Sequence, residues 1–272
     1  MLSTHTVQVT PVENPVLALH GSAGSGKQWR SLADFCEYRA GFHAPDLLGY
    51  GRSSDDERYE ARRSLGSRLL PLLEWLDTQT QPVNVVAHSF GATVALELLR
   101  ARPRAIGSLT LYEPVAPALF AYRATAGDRK MLGELKALSQ LVGGTRGAVG
   151  MESFMNYWCD CDAWSRFSPE TRDSIAAQAS SVFDDFNQGF GVAPQIFEEL
   201  PECVSFSILL GADTVPIAKR MAEKLSEIVV RAETTVLPGL GHLGVFVNSE
   251  LVNPVLHTEL CRAESSPRVY PS

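Results

Sequence analysis

The stretch Val83-Asn84-Val85-Val86-Ala87-His88-Ser89-Phe90-Gly91-Ala92 fixes the fold class expected for this chain. An apolar run, Val83 to Ala87, enters a small-x-Ser-x-Gly turn, and a helical pattern opens at Gly91 and continues to Arg102, with Pro103 just beyond. This is the G-x-S-x-G nucleophile elbow, with Ala87 in the first small position. The turn is so sharp that a large side chain two places before or after Ser89 would strike the neighbouring strand or helix. Ala87 and Gly91 meet that demand. The pattern therefore expects the Ser89 hydroxyl at the top of a sheet, with the Phe90 amide facing the same space at a helix N-terminus. The bland alternative is an ordinary strand-to-helix turn with a surface serine.

Working outward, short apolar runs alternate with helical patterns. Val16 to Leu19 reads as a buried strand closed by the Gly-rich turn Gly21 to Gly26, and Phe42 to Pro45 as a short strand. Leu65, Leu69, Leu72, Leu73 and Leu76 give helical spacing over 60–78, with a kink or break expected at Pro71. Strand patterns recur at Ser108 to Tyr112, Val204 to Leu210 and Thr234 to Leu237, with helices expected over 216–230 and near 249–262. This order predicts an α/β protein: a mostly parallel twisted sheet with helices on both faces, and ligands at the carboxyl ends of the strands. Between 115 and 200 strand runs stop. Helical patterns fill 128–142, 147–158 and 170–188, and aromatic residues gather there. Because both flanks are needed for one sheet, residues 1–114 with 201–272 are expected to form the core, and 115–200 an inserted helical cap, or lid.

Two further segments bear on chemistry. His20-Gly21-Ser22 directly follows the first strand, where the Ser22 amide would be a second donor beside that of Phe90. Two such donors form an oxyanion hole, and losing one typically costs roughly 10²–10³ in rate. The same segment, Gly21 to Gln28, also fits the phosphate-loop pattern G-x-x-x-x-G-K, except that Gln28 stands where a Ser or Thr would hold Mg²⁺. A nucleotide site at 21–28 is thus a competing expectation. Near the C-terminus, Gly239-Leu240-Gly241-His242-Leu243-Gly244 places a histidine in a Gly-rich loop just after the last strand run. His5, His43 and His257 have no partner by pattern, and His88 sits at the tolerant position of the elbow.

The order His20-Gly21, then Asp46-Leu47-Leu48-Gly49-Tyr50-Gly51-Arg52-Ser53, then the Ser89 elbow, a helical insertion and finally Gly241-His242 resembles the lidded α/β-hydrolase superfamily over nearly the whole chain outside the insertion. The resemblance implies acyl transfer through a covalent acyl-enzyme on Ser89, with His242 as general base. It also implies that the Asp46 loop shapes the site floor without chemistry of its own. Haloalkane dehalogenases and epoxide hydrolases of this fold carry Asp at the nucleophile position, and this chain does not look like either. The third triad member departs from the usual pattern. In Leu210-Gly211-Ala212-Asp213-Thr214 the carboxylate stands one place early, with Thr214 in the customary slot, whereas Glu113 follows the strand after the nucleophile's, as the acid does in some relatives. Glu113 and Asp213 are both candidates. Phe120, Phe154, Met155, Tyr157 and Trp158 are expected to line an apolar substrate pocket in the lid. A non-catalytic signalling member of the same fold is the remaining alternative.

Composition bounds these readings. The chain has 272 residues, 45% hydrophobic and 20% charged, an ordinary balance for a folded soluble domain. A net charge of −7 repels phosphate backbones and anionic lipid, so neither nucleic acid nor a membrane is the expected partner; a small apolar acyl substrate is. No apolar run reaches the ~20 residues of a membrane span, and Met1 to Val7 lacks the basic and apolar regions of a secretory signal. Five cysteines, Cys36, Cys159, Cys161, Cys203 and Cys261, cannot all pair within one chain, and reduced thiols in a cytoplasm are expected. Cys159-Asp160-Cys161 looks ligand-like but has no second pair at zinc spacing, so no metal and no cofactor are expected.

Overall fold

The computed structural model describes residues 10–38, 40–144, 147–160, 162–229 and 231–265. The N-terminal segment read above for a targeting signal, and Cys161, lie outside them. The elements run β1 (Val16–Leu19), α1 (Arg30–Phe35), β2 (Phe42–His43), α2 (Glu57–Glu60), α3 (Leu65–Leu76), β3 (Val83–His88), α4 (Gly91–Ala101) and β4 (Ile106–Tyr112). Five helices follow without an intervening strand: α5 (Ala126–Gly144), α6 (Gly147–Trp158), α7 (Ala163–Arg166), α8 (Pro169–Ala176) and α9 (Ala179–Gly191). The chain then returns through β5 (Ser205–Gly211), α10 (Pro216–Ile228), β6 (Glu233–Leu237), α11 (Gly244–Val247) and α12 (Ser249–Ser265).

Among the described residues the strands form one sheet in the order β2-β1-β3-β4-β5-β6, with every neighbouring pair parallel. The expected α/β class is thus observed. Strands β1, β3 and β4 are buried along their whole length, which is why they read as continuous apolar runs. Strand alternation still sorts their residues between two cores. Leu17, Leu19, Val85, Ala87, Leu109 and Leu111 face one side, with α3, α4 and α10. Val16, Ala18, Val86 and Tyr112 face the other, where Leu32 of α1 and Val252, Leu256 and Leu260 of α12 cover them. The first of these cores runs on without a break into the helical insertion, through Leu135, Met151, Phe154, Trp158, Val182 and Phe186.

Two local expectations are narrowed. Helix α3 runs through Pro71 rather than breaking there. It starts cleanly, because the Ser64 hydroxyl caps it by accepting the Ser67 amide at 3.2 Å. Burial of Leu69, Leu72 and Leu76 along one face offsets the backbone hydrogen bond that proline forgoes. The pattern over 170–188 resolves into two helices, α8 and α9, each opening separately; Ser168 caps the first.

Strand order places the site. The chain moves from β1 outward to β2, then crosses back to put β3 on the other side of β1. Loops leaving β1 and β3 therefore diverge at their carboxyl ends and leave a crevice between them, the switch point where open α/β sheets bind ligands. Ser22 follows β1 and Ser89 follows β3.

Candidate functional site

Ser89 sits between β3 and α4 with φ of 52°. A non-glycine residue in this left-handed region is strained, and such strain persists only where surrounding bonds enforce it. Here the Ser89 amide donates to Tyr112 O at 3.2 Å, and its carbonyl accepts from Ala92 at 2.9 Å and Val115 at 3.0 Å. The small-residue demand is visible at Gly91, where an added Cβ would lie 2.7 Å from the Leu19 carbonyl oxygen. Gly21 likewise packs its backbone against the Ser89 turn: a Cβ there would meet the Ser89 Cβ at 2.8 Å. That close approach brings the Ser22 residue beside Ser89. Among the described residues neither the Ser22 amide nor the Phe90 amide is donated to an acceptor within the chain.

The Ser89 hydroxyl meets His242 Nε2 at 2.9 Å. His242 Nδ1 faces Glu113 Oε2 at 3.4 Å. Glu113 is fully buried at the end of β4, also at a left-handed φ of 50°. Its Oε1 accepts the Gly211 amide at 2.7 Å, and its Oε2 accepts the Thr214 hydroxyl. Of the two acid candidates, the structure brings Glu113 to His242 and leaves Asp213 exposed, with only its backbone amide tied down, to Leu240 O at 2.9 Å. Thr214 has a definite part: its hydroxyl holds the carboxylate that comes from the neighbouring strand end.

Two residues that the sequence did not single out fasten the histidine loop. His88 Nε2–H donates to the His242 carbonyl at 2.9 Å, and Tyr112 donates its hydroxyl to the Gly241 carbonyl at 2.8 Å. Burial, and then the proximity of His242, hold the His88 pKa well below the usual histidine value, so its ring is neutral and donates through one nitrogen. Their signal was strand parity: both stand at the last position of their strands, on the face that the final loop must cross. His20 fastens the other side. Its Nδ1–H donates to Gly21 O at 2.8 Å and its Nε2 accepts the Leu47 amide at 2.9 Å. Burial lowers its pKa to about 4.

Three amides of the Gly-rich loop that a phosphate cradle would use are already donated within the chain. Gly26 N donates to Asp46 Oδ1 at 2.8 Å, Gly24 N to Gly21 O at 3.1 Å, and Gln28 N to Ser25 O at 3.1 Å. A carboxylate stands where the nucleotide reading needed an anion cradle, and that reading is corrected accordingly. Among the described residues no three His, Cys, Asp or Glu side chains cluster so as to share a metal ion.

A buried polar cluster joins the insertion to this loop. Asp185 of α9 accepts the Ser22 hydroxyl at 2.5 Å, the Tyr50 hydroxyl, and the Arg68 guanidinium of α3. Arg68 also donates to Tyr59 Oη at 2.7 Å and lies over the Tyr59, Tyr50 and Phe90 rings at 4.8, 5.3 and 5.3 Å. The pair therefore touches the side chains of both residues whose amides flank Ser89. Burial raises the Asp185 pKa, against the opposing pull of Arg68 and the two hydroxyls.

Two spaces open onto Ser89. One, about 300 Å³, is walled by Phe154, Met155, Trp158, Phe167, Ile175 and Phe246 and bounded by His242. Trp158 stacks on the His242 ring at 4.8 Å. The other is tight and lies between Phe90, Val115, Pro117, Asp185 and Phe186. Of the expected lining residues, Phe154, Met155 and Trp158 are there. Phe120 is not: it closes the turn Pro117–Phe120 and is fully buried in the core. Tyr157 packs edge-on behind Trp158 at 5.4 Å and does not line the space, because it lies one position round the helix from the inward face. A wider cleft of about 720 Å³ between α3, α4 and residues 191–199 contains none of these groups.

Comparison with known proteins agrees with this architecture. The chain is 39% identical over 100 residues to Lipase LipV of Mycobacterium tuberculosis, a stretch covering 36% of each chain. It is 33% identical over 126 residues to Probable lysophospholipase BODYGUARD 2 of Arabidopsis thaliana, covering 41% of this chain and 26% of that one. The matched stretches thus span only about a third of these curated relatives. The structure of a hydrolase from Oleispira antarctica superposes with a TM-score of 0.70 over 91% of both chains at 16% identity, a likeness of fold. The model of the Alpha/beta hydrolase family matches residues 16–255, which takes in both strand blocks, the elbow and the histidine loop, and the chain belongs to that family.

Proposed function

We propose that this protein is a serine hydrolase of carboxylic esters, or of their lactone or thioester relatives, acting through an acyl-enzyme on Ser89. The observation that carries the proposal is the run Ser89 Oγ to His242 Nε2 at 2.9 Å, continued from Nδ1 to the buried Glu113 at 3.4 Å. Ser89 Oγ adds to the carbonyl carbon as its proton passes to His242 Nε2. The carbonyl π pair moves onto oxygen, which the Ser22 and Phe90 amides receive. The pair then returns, the bond to the leaving group breaks, and His242 gives it the proton. Water repeats the sequence in reverse and releases the acid. Glu113, held by Gly211 and Thr214, keeps Nδ1 protonated and favours the imidazolium that forms, a role worth about 10⁴ in kcat at comparable sites. No step calls for a metal or cofactor.

Residues 115–200 act as the lid, with Phe154, Met155 and Trp158 contacting a small apolar substrate. A cytoplasmic setting is in keeping with the unpaired thiols of Cys36, Cys159, Cys203 and Cys261. The test is turnover of 4-nitrophenyl acetate and butyrate, γ-lactone and thioester panels by the wild type and by Ser89→Ala. Ser89-dependent hydrolysis of one class is expected. Absence of turnover across all of them would favour a non-catalytic member of the fold.

A further inference from the structure

The two spaces that adjoin Ser89 share Ser22, Phe154 and Trp158 as walls but are unequal, and His242 lines only the larger. The space that His242 bounds is about 300 Å³, at the lower end of small-molecule sites, and its walls are Trp158, Phe154, Phe167, Ile175, Leu243 and Phe246. The second space, which shares Phe154 and Trp158 with the first and is closed by Phe90, Val115, Pro117 and Phe186, leaves about 20 Å³ free, little more than one water requires. Its polar wall, Asp185, is already engaged by Arg68, Tyr50 and Ser22.

Proton transfer tells which space takes which half of an ester. The group that leaves must receive its proton from His242 Nε2, so it lies on the His242 side. The acyl chain, bonded to the same carbon and opposed to the leaving group across it, extends away from His242. We infer that the enzyme is built for esters of a bulky apolar alcohol with a very short acyl group, acetate above all, because the leaving-group chamber is wide and aromatic while the acyl chamber is nearly filled. This rests on the acyl-transfer reading above, and it moves the apolar bulk from the acid to the alcohol. The bonds are those already described: Ser89 Oγ bonds to the acetyl carbon, the alcohol leaves with the proton from His242, and water releases acetate.

Isomeric esters separate the halves without altering intrinsic reactivity much. Octyl acetate and methyl nonanoate share one formula, as do benzyl acetate and methyl phenylacetate, and all four leaving groups are primary alcohols. The expected result is a kcat/KM at least about tenfold higher for the acetate of each pair, since a pocket discriminates by roughly 10–200-fold for each methylene it cannot admit. Val247 lines the wide chamber and is 67% exposed. Val247→Trp adds bulk at the rim of that chamber and should lower kcat/KM for octyl acetate severalfold more than for methyl nonanoate. Phe186→Ala opens the narrow chamber and should bring methyl nonanoate toward parity. Equal or reversed preference within both pairs, with 4-nitrophenyl acetate still cleaved in a Ser89-dependent way, would overturn the chamber assignment alone. Absence of Ser89-dependent cleavage of any ester would overturn it together with the acyl-transfer reading.

Discussion

Replacing Asp185 by Asn tests the bond between insertion and core most sharply. The Arg68 side chain is 0% exposed and that of Asp185 3%, so the substitution leaves a buried guanidinium without its countercharge. Breaking such a pair from one side typically costs 3–5 kcal/mol. Arg68 would keep the Tyr59 hydroxyl and three aromatic faces, contacts worth about 0.5–2 kcal/mol apiece, which puts the expected loss near the lower figure, about 3 kcal/mol. With a urea m-value of about 3 kcal/mol/M, the midpoint of unfolding falls by about 1 M. Tryptophan fluorescence in urea measures it. The double variant Arg68→Met with Asp185→Leu removes both charges and fills their volume, so it should be more stable than Asp185→Asn, while staying below wild type because the Tyr50 and Ser22 hydroxyls lose their acceptor. Its kcat should nonetheless fall by tenfold or more, because the Ser22 hydroxyl loses its acceptor and the loop proposed to receive the oxyanion loses its anchor. A cost below about 1 kcal/mol for Asp185→Asn, or a double variant no more stable than the single one, would refute this account of the pair.

The acid is settled by two conservative variants: Glu113→Gln should lose about 10³–10⁴ in kcat and Asp213→Asn no more than a few-fold, measured on the same ester. The buried histidines give an acid limb to stability. His20, with a folded pKa of about 4, contributes fully above its unfolded pKa of 6.5. That contribution is lost as pH falls from 6.5 toward 4, by about 3 kcal/mol in all, because the unfolded state takes up the proton first. His88 acts in the same direction. NMR titration should show the His20 ring neutral from pH 8 down to pH 5; a midpoint near 6.5 would contradict its burial.

Much of the fold was written in local signals. Strands buried on both faces announce themselves as apolar runs, so β1, β3, β4 and β5 were legible to within a residue or two. The elbow was legible because its sterics leave few choices at Ala87 and Gly91. What escaped depends on distance in the chain. Pro71 looks like a break until the core that holds α3 is known. Asp213 and Glu113 are indistinguishable by spacing, since the choice is made where the β4 end and the Thr214 hydroxyl meet. Phe120 and Tyr157 share the composition of the pocket without its geometry: one turns into the core, the other sits behind Trp158. The Asp185–Arg68 pair joins residues far apart in sequence, and neither carries a motif.

The most direct measurement is covalent labelling with a fluorophosphonate, read by mass spectrometry of the digested protein. One adduct on the peptide that carries Ser89 is expected, abolished in Ser89→Ala and strongly slowed in His242→Ala, because only a hydroxyl with its base at 2.9 Å reacts at neutral pH. An unmodified Ser89 peptide, or labelling that survives both substitutions, would contradict the account.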